Sequence, residues 1–360
     1  MDMQSLKALS QSYRKLPHGS ERAEAIRSAI AQADLQQDHD WRFHMRDDLM
    51  MELAFHGDSG TILPIISEMI AIYENYPIKD SALDYVYALY ICTEQWDCLP
   101  QLPLCQLDMM MERFKKAVEQ CCLGDKSYHQ RCWQIAIQQE KWELAEQAYQ
   151  KMLQPKFRDV SSCKACKYHF QTDYFLKTGQ KEKALQAAQP ILDGTVTCQS
   201  EPERTLSSFL QFALDYETHE QATYWADLLR PQLDKNEYHS AMLRWLAYHD
   251  TDKALRMLES GIAEIWGEWD QEEVFGLCTA AWVVCLQYNK RFPEHAVLLT
   301  LPKNFPLWQE NSLYAMDTLG TFFYAHAQNI ARAFDTRNNS HYYQTKLDNA
   351  NHLAIERNIL

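Results

Sequence analysis

The chain has 360 residues, 46% hydrophobic and 23% charged, with ten glycines and a formal charge of −14. That balance belongs to a packed protein rather than a disordered one, and the scarcity of glycine disfavours a turn-rich, strand-rich fold. An excess of 49 acidic over 35 basic residues argues against nucleic acid or an anionic membrane as partner and suits a basic or neutral protein.

The opening MDMQSLKALSQSYRK has no apolar core of a secretory signal. No apolar run approaches the roughly 20 residues of a membrane span. Eleven cysteines, an odd number, with Cys121 beside Cys122, point to reduced thiols in a cytoplasm rather than to a disulfide framework.

Helical spacing dominates, and the expected fold class is all-α. SERAEAIRSAI (20–30) reads as a helix start with Ser20 as a simple N-cap. In 41–54, Trp41, Met45, Leu49 and Leu53 recur every four residues on one helix face. The same helix carries His44, Asp47 and Asp48, either an acid–base cluster or a solvated face. HGDSGTILPIISEMI (56–70) resembles a divergent helical repeat, and Tyr85, Ala88 and Leu89 mark the next helix. The proline-bearing CLPQLPLC (98–105) and the segment KFRDVSS (156–162) interrupt the pattern as loops.

Four segments then share a short polar turn and a helix with an early small residue: 141–153, 179–192, 219–229 and 249–262. Aligning Ala145, Ala184, Ala222 and Ala254 gives steps of 39, 38 and 32, which bracket the 34 residues of a tetratricopeptide unit. Each hairpin leaves an apolar face that only its neighbour covers, so the units stack into a solenoid. EIWGEWDQEE (264–273) sets Trp266 and Trp269 among acidic residues, either as a site for a basic peptide or as packed aromatics at a helix end. CTAAWVVCL (278–286) has the length of a core helix. RFPEHAVLLTLPKNFPLW (291–308) breaks the pattern before a terminal helix near 309–335. The expected organisation is one continuous solenoid: divergent helical repeats over 1–100, tetratricopeptide-like repeats with a cysteine cluster over 101–290, and capping helices over 291–360.

SSCKAC, the hairpin through KTGQKEKALQAAQPILDGTVTC, EPERTL and the C-terminal AHAQNIARAFDTRNNSHYY together resemble a family of uncharacterised bacterial tetratricopeptide-like proteins. The pattern is a C-x-x-C, a third cysteine and an F-D-x-R-N motif, here Cys163, Cys166, Cys198 and Phe334-Asp335-Thr336-Arg337-Asn338. The resemblance implies a helical-repeat fold and no established activity.

Cys163 and Cys166, three residues apart, share a helix face. If one helix runs from about 162 to 177 and its partner from about 181 to 192, the hairpin returns Cys198 to the start of the first. Three converging thiols at a helix N-terminus suit zinc, with His169, Asp159 or Glu203 as a possible fourth ligand. The competing readings are core packing, in which Cys163, Cys166, Phe170 and Tyr174 form one buried stripe, and thiol redox chemistry. Glu203 has an ordinary alternative in a capping box with Ser200. Asp335, Arg337 and Asn338 either line a groove for a partner's backbone or carboxylate, or end a helix, with Asn338 or Asn339 in the left-handed cap. No H-E-x-x-H, P-loop or G-x-S-x-G occurs in a usable context.

The expected function is a scaffold that binds a protein or peptide and is not an enzyme. One alternative is an immunity or sensor protein that sequesters a toxin or signalling peptide. Another is a metal-dependent enzyme on a helical toroid. The only cofactor expected, if any, is structural zinc.

Overall fold

A computed structural model describes residues 3–56, 59–154, 160, 163–233, 238–293 and 295–353. It is 75% helix, so the all-α expectation holds. In chain order the helices are α1 (Met3–Tyr13), α2 (Ser20–Gln36), α3 (His39–His56), α4 (Ile62–Asn75), α5 (Ala82–Cys98), α6 (Leu104–Gln120), α7 (Lys126–Gln138) and α8 (Trp142–Leu153). There follow α9 (Lys164–Lys177), α10 (Lys181–Leu192), α11 (Glu203–Tyr216), α12 (His219–Leu229), α13 (Ser240–His249), α14 (Thr251–Ile265), α15 (Gln271–Arg291), α16 (Met316–Asn338) and α17 (Tyr342–Asn349). None of the helices among the described residues is long and apolar enough to cross a membrane.

The chain divides into two compact units. The first comprises Met1–Asp97, Leu102–Arg131 and Gln150–Ser161; the second comprises Cys98–Gln101, Cys132–Tyr149 and Ser162–Leu360.

In the first unit α1 packs on α2, α2 on α3 and α3 on α4. Ionic ties reinforce these contacts: the buried Arg46 reaches Asp34 at 2.8 Å and Glu68 at 2.6 Å. The N-cap of α2 is Gly19, not Ser20, which is the first helical residue. The buried carboxylate of Glu52 accepts the Gly19 N–H at 2.7 Å.

In the second unit α9 packs on α10, α11 on α12, α13 on α14 and α15 on α16, while α9, α11, α13 and α15 touch in succession. Ala145, Ala184, Ala222 and Ala254 are all fully buried, and each is the fourth residue of its helix. A methyl group there lets the neighbouring helix approach where a larger side chain would hold it off. The break after α15 holds something the spacing did not reveal. Strands β1 (Ala296–Leu298) and β2 (Leu313–Ala315) pair antiparallel, with Val297 opposite Tyr314 on the buried side. Three residues are too few for alternation to stand out in a sequence. The long helix accordingly starts at Met316 rather than near 309.

Candidate functional site

Cys163 is the N-cap of α9, and its Sγ accepts the N–H of Cys166 at 3.5 Å. Cys166 Sγ lies 3.5 Å from Cys163 Sγ and 3.8 Å from Cys198 Sγ. All three sulfurs lie within 4.8 Å of one another. The hairpin therefore does return Cys198 to the start of α9, and the three thiols form a cluster that can hold a metal ion. Phe170 and Tyr174 are buried as a core stripe requires, but Cys163 is exposed and Cys166 only half-buried. Cys92, Cys278 and Cys285, by contrast, are buried, and burial raises the pKa of each thiol.

Charge in the cluster is uneven. Burial opposes the Cys163 thiolate, yet the Cys166 N–H and the neighbouring thiols bring that thiol below its ordinary value. Burial, then the two neighbouring thiols, pushes Cys166 up to about 12. The thiolate is favoured at Cys163 and disfavoured at Cys166, and a bound cation would favour the charged form of both.

Of the three fourth-ligand candidates, His169 is buried and turned elsewhere. Its Nδ1 lies 3.1 Å from Thr205 Oγ1 and 3.4 Å from Glu201 Oε1. Burial, then Arg204, holds the imidazole down to about 3, so it is neutral and its contact with Glu201 is no ion pair. Glu203 is the first residue of α11 and cannot be the third residue of a capping box. The carboxylate of Glu201 does the capping expected of Ser200, accepting the Thr205 N–H at 3.1 Å. Asp159 lies outside the described residues.

The F-D-x-R-N motif is a junction. Asp335 is buried, and its two oxygens accept the N–H groups of Tyr343 and Gln344, each at 2.9 Å, at the start of α17. Burial raises its pKa against the pull of those two amides. Arg337 donates to Asn338 Oδ1 at 3.0 Å and to Leu99 O at 2.9 Å. Asn338 is buried, and Asn339 takes the left-handed cap with φ 52°. Asp335 and Arg337 are engaged within the unit, while the buried Asn338 Nδ2 has no hydrogen-bond partner. Trp266 likewise packs against Phe305 and His326, each at 5.0 Å between ring centres. Trp269 is half-buried, and neither tryptophan lines the two cavities beside α11.

The sequence did not disclose a groove in the second unit. Two cavities of about 600 and 850 Å³ adjoin, because Ser207, Ser208, Gln211 and Lys346 line both. The smaller has walls from α9, α11 and α17; the larger has walls from α11, α13 and α15. Near the smaller, Lys177, exposed on one side, pairs with Asp173 at 2.9 Å. Arg244 and Asp215, 3% and 5% exposed, pair at 2.7 Å. Arg244 also donates to Ala350 O at 2.8 Å.

Two observations bear on the larger cavity. Thr279 is only 6% exposed, yet its Oγ1 has no hydrogen-bond partner, and neither has Arg244 Nε. Buried polar atoms are nearly always satisfied, so such orphans need an explanation. Gly276 lines the same cavity from inside α15, and a Cβ there would meet only Ser240, at 3.6 Å. Packing does not require glycine at this position. Gly276→Ala should therefore raise stability by about 0.5–1 kcal/mol, the usual cost of glycine inside a helix. Urea unfolding checks this, and a loss of stability would mean that the space is not open.

The His44–Asp47–Asp48 stretch falls in the first unit and does not act as one group. Asp48 accepts the Tyr13 hydroxyl at 2.6 Å and pairs with Arg14 at 2.8 Å. Burial, then Asp84 and Asp48, pushes the partly buried carboxyl of Asp47 up to about 7. A carboxyl raised in the folded state contributes stability below its unfolded pKa, and that stability is lost as pH climbs toward 7. Asp47→Asn should be nearly neutral at pH 4 and stabilising by roughly 2–4 kcal/mol above pH 7. Unfolding midpoints across that range test it; a constant difference would contradict it.

The chain matches no family model, no curated protein and no solved structure.

Proposed function

We propose that the chain is a tetratricopeptide-like helical-repeat protein whose second unit binds a peptide segment of another protein in the groove along α9, α11, α13 and α15. The paired helices, the serial contacts of their first members and the four buried alanines support the repeat reading. The observation that carries the binding reading is the Thr279 hydroxyl, buried and unpartnered in the wall of a cavity large enough for several side chains. A peptide supplies hydrogen-bond partners along its backbone, and a groove between helices holds it without catalytic groups.

Gly276→Trp should fill the groove and leave the fold intact. Wild-type protein exposed to extract of its native host should retain a partner that the Trp variant, folded by far-UV circular dichroism, does not. Equal retention by both would place binding elsewhere.

The thiol triad supports a second, structural element of this proposal: one zinc ion tying the start of α9 to the segment before α11. Zinc takes three or four thiolate or imidazole ligands. Protein purified under reducing conditions should carry close to one equivalent by elemental analysis.

A further inference from the structure

We infer that the α15 end of the groove receives a lysine or arginine side chain of the bound peptide, an assignment that rests on the peptide-groove reading. The larger cavity is acidic: Glu203, Glu264, Asp270, Glu272 and Glu273 line it. Its cations are already committed. Lys346 lies 3.8 Å from Glu272, Arg244 is paired with Asp215, and Arg204 stacks on Phe170 at 5.6 Å. Of the two histidines in the wall, His169 is buried and His239 half-buried, and loss of solvent favours the neutral form of each. No ion pair falls to Glu264, Asp270 or Glu273 among the described residues, although Asp270 also caps α15 by accepting the N–H groups of Glu272 and Glu273.

An acidic rim alone would say little, because solvated carboxylates are common. The floor beneath it is what points to a ligand. Glu272, Gly276 and Thr279 follow at i, i+4 and i+7, so they share one face of α15. A threonine inside a helix ordinarily returns its hydroxyl to the carbonyl one turn back; Thr279 Oγ1 makes no such bond. It is left to a group that enters the cavity, and Gly276 leaves the space beside it clear. An ammonium or guanidinium group can donate to the Thr279 hydroxyl and to the rim carboxylates together, and charge-assisted bonds of this kind are the stronger ones. A peptide carboxylate would meet the same rim as like charge. The other end of the groove, where Asp173 and Lys177 offset one another, makes no such demand.

The test uses full-length protein on an array of short random peptides, with the central position fixed as arginine, lysine, glutamine or glutamate. Arginine- and lysine-fixed peptides should bind at least about tenfold tighter than glutamine-fixed ones, the ratio that one good charged contact supplies. Glu273→Gln and the isosteric Thr279→Val should each reduce that preference severalfold. Unfolding midpoints equal to wild type would show that both variants fold. If glutamine- or glutamate-fixed peptides bind as well as basic ones and Gly276→Trp blocks them all, the cationic assignment falls while the peptide groove stands. If no set binds wild type better than Gly276→Trp, both fall.

Discussion

Arg244→Met should cost the second unit about 3–5 kcal/mol, because it strands the Asp215 carboxylate without its countercharge in a nearly dry site. Asp215 is 5% exposed and would keep only the Gln211 side-chain amide, at 2.9 Å. The carbonyl of Ala350 would also lose its 2.8 Å bond from Arg244. Joining Asp215→Leu to Arg244→Met should recover most of the loss, since an apolar pair of similar volume often replaces a buried ion pair at little cost. Urea denaturation of the single and double variants measures this. A single-variant loss below about 1 kcal/mol would mean that water reaches Asp215 and that the pair is not the buried tie described.

Removal of the proposed zinc is the second large effect. Cys166→Ser should abolish zinc retention and lower the stability of the second unit by about 3–4 kcal/mol, because a structural ion contributes its binding energy to folding. Cys166 is the most informative position, since its sulfur lies within 3.8 Å of both of the others. A chelator applied to wild type should produce the same loss, and added zinc should reverse it. Exposed cysteines outside the cluster, such as Cys105 and Cys122, should tolerate serine with the metal content unchanged. If the triad were only packing, Cys166→Ala would cost about 1 kcal/mol and the chelator nothing.

What could be read in advance followed sequence distance closely. The boundaries of α9 and α10, the convergence of Cys198 on Cys163 and Cys166, and the burial of the four aligned alanines depend on helical period and one hairpin, both local. The capping box at Ser200 failed because α11 begins at Glu203, so the carboxylate that reaches the third amide is Glu201's. Serine and glutamate at that spacing look the same whether or not the helix has started. The F-D-x-R-N stretch could be singled out as a motif, but Asp335 caps a helix beginning seven residues later, and Arg337 meets Leu99 across 238 positions. No spacing rule reaches that far. The groove was hidden for the same reason: Asp173, Arg244, Gly276 and Lys346 come from four separate helices. Its one legible trace was Gly276, a lone glycine inside an apolar helical run where alanine would serve the helix better.

The most direct test of the groove is to place a photo-crosslinking residue at Ser208, which lines both cavities, and to irradiate the protein in its native host. A control at Tyr224, exposed on α12, reports background. The account predicts a covalent adduct to one partner from Ser208, lost when Gly276→Trp is added, and no such adduct from Tyr224. The same adducts from both positions, or a Ser208 adduct that survives Gly276→Trp, would contradict it.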